Sequence, residues 1–275
     1  MTWRRAAIVV ALTLAAQAQP AAAQTSASKD ATRKFEILDN SFLVEEAFNQ
    51  EAHIFQNIFS WTFARDGEWD GTVTQEWPLW GVKNQFSYTI PLSRADRRIG
   101  VGDVLLNYRY QLVEESARRP AVAPRASLIL PTGSSADGFG HDVVGLQVNM
   151  AFSKQFRDLY VHWNVGSTWH PRVALAGGAS RATLTSPQIA ASAIWRVTPM
   201  LNMMFESVVQ FEESVDAGTR VVDDRISTIS PGFRRGWNIG DRQIVVGAAV
   251  PISLADGGRR TAFLTYFSYE LPFGR

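Results

Sequence analysis

The sequence predicts an all-β protein: an antiparallel transmembrane β-barrel of about twelve strands behind a cleavable export signal. Three observations carry the prediction. Segments recur in which bulky apolar residues alternate with small, amide or charged ones, and a period of two is that of a β-strand. No stretch beyond the N-terminus reaches the roughly 18 uninterrupted apolar residues of a spanning helix, whereas a spanning strand needs only roughly 9 to 11 residues with alternate positions apolar. The chain also has no cysteine. The disulfides that hold many exported domains are therefore absent, and thiolate metal sites and cysteine nucleophiles are excluded.

The N-terminus, MTWRRAAIVVALTLAAQAQPAAAQ, places Arg4 and Arg5 before an apolar run from Ala6 to Ala16 and then small residues. This is the n-region, h-region and cleavage site of a signal peptide, with cleavage expected after Ala23. The run is too short for a spanning helix, which needs roughly 20 residues. Residues 24–34 are polar and expected to be disordered. The run FLVEEAFNQEAHIFQ, residues 42–56, carries Glu45, Glu46 and Glu51. Residues 24–51 are thus expected to form a periplasmic N-terminal arm or plug, and residues 52–275 the barrel.

Alternation is clearest in GDVLLNYRYQLV, residues 102–113. Val104, Leu106, Tyr108, Tyr110 and Leu112 form one face, and Asp103, Asn107, Arg109 and Gln111 the other, with Leu105 the exception. The same pattern appears near 86–92, 125–130, 144–153, 159–166, 201–212 and 263–273, and more weakly near 53–65, 71–79, 187–197, 225–234 and 242–253. An even strand count returns both chain ends to one side of a membrane. In that arrangement the connections 131–142, 170–186 and 212–225 are long loops on one side, while 81–84, 154–158 and 198–200 are short turns on the other. The connection 114–123 is too long for its side. Trp77, Trp80, Trp169, Trp195 and Trp237 fall near strand ends, as interfacial girdles would. The apolar faces are then expected to meet lipid and the polar faces a wet interior, because an arginine at the bilayer midplane costs about 2–4 kcal/mol.

Removal of residues 1–23 takes away two arginines and no acid, leaving 25 basic and 26 acidic residues. Such a balance argues against nucleic acid as a partner. The remaining expected partners are outer-membrane lipid, a small-molecule solute and the barrel-assembly machinery.

GDVLLNYRYQLV, PRASLILPTGSSADGFG (124–140) and VGLQVNMAFSKQFRDLYVHWNVG (144–166) resemble the outer-membrane family labelled as transporters of the MetA pathway of phenol degradation. The motif residues are Gly102-Asp103 at the start of one strand, Leu130-Pro131-Thr132-Gly133-Ser134 at the end of the next, and Gly138 and Gly140 in the loop. The resemblance implies a Gram-negative outer-membrane barrel that passes small, aromatic or apolar compounds. One departure is the end of the chain: such barrels often finish on Phe, and here Gly274 and Arg275 follow Phe273.

Asp103, Asn107, Arg109, Gln111, Arg125, Gln147, Asn149, His162, Glu206 and Gln210 form the candidate lumen and permeation set. They line a selective path or, in a filled barrel, simply neutralise one another. The histidines His53, His141, His162 and His170 lack the i, i+4 spacing of a helical metal site, and no cofactor or metal is expected. The glycine-rich GSSADGFG follows a strand and opens no helix, so it is read as a loop rather than a phosphate site. The function expected is passive transport, not catalysis. The alternatives are a lipid-modifying hydrolase built on His162, a non-conducting structural barrel, and a secreted β-sandwich that binds a ligand.

Overall fold

The computed structural model describes residues 37, 39, 41–175, 180–216, 220–240 and 242–273. The expected signal peptide lies outside them, as do residues 24–36. In chain order the strands are β1 (Ile54–Ala64), β2 (Trp69–Leu79), β3 (Asn84–Ala95), β4 (Arg98–Val101), β5 (Val104–Tyr110), β6 (Ala121–Leu130) and β7 (Gly145–Phe156). They continue as β8 (Leu159–Ala174), β9 (Arg181–Thr198), β10 (Leu201–Asp216), β11 (Arg220–Ile239), β12 (Arg242–Ala249), β13 (Ile252–Ala255) and β14 (Gly258–Pro272). Among the described residues the only helix is one 3-10 turn, Ser135–Asp137.

Neighbouring strands pair antiparallel around a closed sheet, and β1 meets β14 from Ile54↔Pro272 to Ala64↔Ala262. Both β4 and β5 pair with β3, and both β12 and β13 pair with β11 and β14. Each couple is one interrupted wall strand, so fourteen segments make a twelve-stranded barrel. Closure leaves no unpaired edge, the condition that hydrocarbon imposes on a spanning sheet. The first interruption is Gly102-Asp103, where the Gly102 N–H donates to Pro91 O at 2.8 Å. The second is Val250-Pro251, where proline has no N–H to give to the ladder.

The parity read from the sequence is the parity of the wall. Leu105, Asn107, Arg109 and Gln111 are buried inside, whereas Tyr108, Tyr110 and Leu112 are exposed outside. Leu128, Val148, Val165, Ile189, Phe205 and Phe233 continue the exposed apolar band on the neighbouring strands. Leu105 belongs to an inward apolar patch with Ile129, its partner across β5 and β6. Trp80, Trp195 and Trp237 are exposed at the end that carries the 80–83 and 199–200 turns, and Trp77 stacks on Phe55 there.

Two connections expected as long loops are largely strand. β8 runs to Ala174 and β9 starts at Arg181, while β10 runs to Asp216 and β11 starts at Arg220, with the extensions paired as Val173↔Ala182 and Val215↔Val221. The alternation that marks a strand fades there because a ladder that protrudes beyond lipid has no need of an apolar face. A register shift between His170 and Val173 spans Pro171 and Arg172, the latter at φ 60°, and sets one extra residue of β8 against β9, as in a β-bulge. The overlong connection after β5 folds back on the barrel end: Glu115 accepts from Lys154 Nζ at 3.0 Å and from the Gln155 N–H at 2.8 Å.

Candidate functional site

Residues 37, 39 and 41–50 lie inside the barrel, in the half nearer the 80–83 and 199–200 turns. Ile37 packs beside Met200 and Gly236, the Glu45 level is reached within the wall, and Asn49 returns to donate to Val82 O at 3.1 Å. Phe42, Val44, Ala47 and Phe48 are buried to 1 % exposure or less. Phe42 lies 5.0 Å from the Tyr266 ring and Phe48 lies 5.6 Å from Tyr160. Val44 fills a smaller apolar cluster with Ala190 and Val208.

The arm enters and turns back within the barrel, with bends at residues 42–44 and 47, and wall side chains take the place of a neighbouring strand. The Leu43 N–H donates to Glu206 Oε1 at 2.7 Å, the Glu45 N–H to Asn164 Oδ1 at 2.7 Å, and the Ala47 N–H to Ser153 Oγ at 2.7 Å. Asn164 Nδ2 returns a bond to Glu45 O at 2.8 Å. Further along, the Gln50 N–H donates to Gln85 Oε1 at 2.6 Å and Gln111 Nε2 to Ala47 O at 2.8 Å. Unpaired buried backbone groups are costly, so this ladder of side chains is what lets an irregular segment lie in the lumen.

Three wall arginines reach the arm: Arg125 pairs with the Glu45 carboxylate, while Arg109 and Arg234 bond neutral oxygens of the arm, among them the Glu46 and Asp39 carbonyls. Arg125 donates through Nε and Nη2 to the Glu45 carboxylate at 2.6–3.1 Å. It also donates to Gln147 Oε1 at 2.7 Å, Asn107 Oδ1 at 3.2 Å and Ser127 Oγ. Both members of the Arg125–Glu45 pair are nearly inaccessible, with side chains 2 % and 3 % exposed. Arg109 Nε donates to Asn49 Oδ1 at 3.1 Å. Arg234 donates to Asn202 Oδ1 at 3.1 Å and to the Asp39 carbonyl, and lies 3.9 Å from the Glu46 carboxylate. Asp39 in turn accepts from Tyr266 Oη at 2.6 Å, Gln56 Nε2 at 3.0 Å and Ser268 Oγ.

Of the ten residues predicted for the lumen, all are buried inside, but they divide into three groups. Arg109, Gln111, Arg125, His162 and Glu206 touch the arm, with Asn107 and Gln147 holding Arg125 in place. Asn149 and Gln210 are buried, and neither amide group has a protein hydrogen-bond partner among the described residues. They share one inward row, because Asn149 faces Gly166, Gly166 faces Gln188 and Gln188 faces Gln210 across successive strands.

Asp103 is apart from both groups. It stands at the opposite end of the barrel and accepts the Gly133 N–H at 2.9 Å and the His141 N–H at 3.0 Å. Thr132 Oγ1 donates to Gly102 O and accepts the Val104 N–H, and Phe139 packs where a side chain at Gly100 would stand. The Gly-Asp and Pro-Thr-Gly motifs thus bind the 131–144 loop to the strand break. In the same loop Asp142 accepts from the Ser135 hydroxyl and N–H, which holds its carboxyl below the usual aspartate range.

His162 has partners that the sequence did not reveal. Its Nδ1 lies 2.7 Å from Ser153 Oγ and its Nε2 lies 3.6 Å from Glu46 Oε1. Serine, histidine and carboxylate are the components of a hydrolytic triad. Here Ser153 and His162 are both 0 % exposed and Ser153 Oγ already accepts the Ala47 N–H. The Ala47 N–H sits on Ser153 Oγ and the carboxylate, Glu46, belongs to the arm itself, so in this conformation the cluster is a seat for the arm.

No protein family matches the sequence, and no curated protein does. Among solved structures the fold is similar to that of the COG4313 outer membrane channel from Pseudomonas putida F1, with a TM-score of 0.64 and 13% identity over 82% of this chain and 98% of that one. A NanC porin gives a TM-score of 0.48 and 7% identity over 80% of this chain and 100% of that one. A loop L8 deletion mutant of OmpT, an outer membrane protein of Vibrio cholerae, gives 0.36 and 9% identity over 80% and 98%. The likeness to the first of these shows the fold, that of an outer-membrane β-barrel. The family resemblance seen in the Gly-Asp and Pro-Thr-Gly motifs agrees with this fold, whereas the phenol-pathway label finds no match.

Proposed function

We propose that the chain is an outer-membrane channel for passive movement of small, aromatic or apolar compounds, closed in this conformation by the arm, residues 37, 39 and 41–50, and opened when the arm leaves the lumen. The observation that carries the reading is the match between arm and wall: Arg125 pairs with Glu45, Arg109 and Arg234 bond arm oxygens, and the arm's backbone N–H groups find acceptors on the wall. A segment so matched has a defined docked state, and its departure would leave polar wall groups that water can satisfy. The residues bet to meet a passing solute are Asn107, Arg109, Gln111, Arg125, Gln147, Asn149, His162, Glu206 and Gln210, with Leu105 and Ile129 as apolar contacts. Asp103 holds the loop at the mouth.

The reading also places the exported, processed chain in outer-membrane lipid, inserted by the barrel-assembly machinery. A concentration gradient drives the flux, and no covalent chemistry is involved. Liposome swelling with small uncharged solutes tests it. The mature chain is expected to give slow swelling and a variant lacking residues 37–50 fast swelling. Equal, negligible swelling from both, with each shown to be folded, would instead mean a structural barrel filled by its own side chains.

A further inference from the structure

We propose that Asp103, His141 and His170 form a binding site for a divalent transition-metal ion, with zinc as the type case, which fastens the 131–144 loop to the barrel mouth. Three separate elements bring these groups together: the break between β4 and β5, the loop after β6, and the protruding part of β8. One ligand atom from each lies within 4.8 Å of the other two. The His141 and His170 rings stack with centroids 3.9 Å apart, and His141 Nδ1 is 3.7 Å from Asp103 Oδ2.

The chemistry fits such an ion. Two imidazoles and a carboxylate are a borderline donor set suited to zinc, copper or nickel rather than calcium. An ionised carboxylate accepts at about four lone-pair positions, and the two backbone N–H groups on Asp103 leave others for a metal. Those same N–H groups orient the carboxylate, as outer-shell donors do at known metal sites. The His170 ring has no hydrogen-bond partner among the described residues although the residue is only 7 % exposed, and it lies over Gly145, where a Cβ would come within 2.7 Å of its Cδ2. The lack of a side chain at Gly145 makes room for the imidazole. With three protein ligands, a fourth position is left for water. Drawing the donors to zinc distances of roughly 2.0–2.2 Å pulls the loop toward β8 and fixes it. The inference does not depend on whether the arm opens.

The test uses the full mature chain in detergent, without a histidine tag, titrated with zinc against a chromophoric chelator and separately with cobalt. The expected result is one ion per chain and a cobalt visible spectrum of tetrahedral intensity. His141→Ala and His170→Ala should each weaken zinc by about tenfold or more and abolish the spectrum, with His53→Ala as an unaffected control. Both main substitutions leave the His141 backbone N–H in place for Asp103, and resistance of the barrel to SDS at room temperature reports folding. Binding of equal strength in the folded His141→Ala/His170→Ala double variant would overturn the proposal, as would no specific binding by the parent chain.

Discussion

Glu45→Ala is the most informative change, because it removes one partner of a buried ion pair and leaves the wall intact. In the docked state the Arg125 guanidinium would keep its neutral partners Asn107, Ser127 and Gln147 but lose its carboxylate. Breaking a buried pair costs about 3–5 kcal/mol. With the arm released, Arg125 is hydrated and most of that cost disappears, so the penalty falls on docking. The three remaining acceptors favour the lower end, about 3 kcal/mol. At 1.4 kcal/mol per factor of ten, the docked-to-released ratio falls on the order of a hundredfold.

The assay exploits the absence of native cysteine. Ser41 is 1 % exposed and its Oγ lies 2.6 Å from Ser192 Oγ, so Ser41→Cys is a nearly isosteric reporter. Its maleimide labelling should quicken on the order of a hundredfold in Glu45→Ala, provided reseating outpaces labelling. Adding Arg125→Met, which removes the stranded charge, should bring the rate back toward that of the parent. Equal labelling rates in the parent and Glu45→Ala would refute the assignment of this pair as the main tie of the arm.

Three other outcomes are expected. Asp103→Ala removes the acceptor for the Gly133 and His141 N–H groups, at about 1.5–3 kcal/mol for each charged hydrogen bond; limited proteolysis should then cut the 131–144 loop faster while the barrel stays SDS-resistant. Val148→Arg places a charge on the lipid-facing wall and should cost about 2–4 kcal/mol if at midplane depth, read as a lower urea midpoint for the barrel in lipid, whereas Asn149→Arg on the next, inward position should not disturb the lipid contact. His162→Ala should leave phospholipid release at the level of protein-free vesicles, as in the parent; a turnover present in the parent and lost in the variant would revive the hydrolase reading.

The wall was legible in the sequence because lipid outside and polar groups inside impose a strict period of two, as at 102–113 and 144–153. The break at Gly102-Asp103 was visible as a motif but not as a loop anchor, since the acceptor role of Asp103 depends on Gly133 and His141, 30 and 38 residues on. The hairpins beyond Trp169 and Phe211 were hidden because a strand outside lipid loses its apolar face. The arm was the least legible part. FLVEEAFNQ has no periodic signal that distinguishes a plug from an ordinary tail, and its location is set by long-range pairs such as Leu43 with Glu206 and Glu45 with Arg125. Likewise, Ser153 and Glu46 reach His162 from a neighbouring strand and from the arm, so the residues next to His162 in the chain do not reveal them.

The central claim is that conduction requires the arm to leave the lumen. Ser41→Cys/Ser192→Cys tests it in a single preparation, because the 2.6 Å separation of the native hydroxyls is close to the S–S bond length of roughly 2.05 Å. Planar-bilayer recordings should show no openings while the disulfide holds the arm and the gating of the parent chain once reductant is added. Identical currents before and after reduction, with the crosslink verified, would contradict the claim.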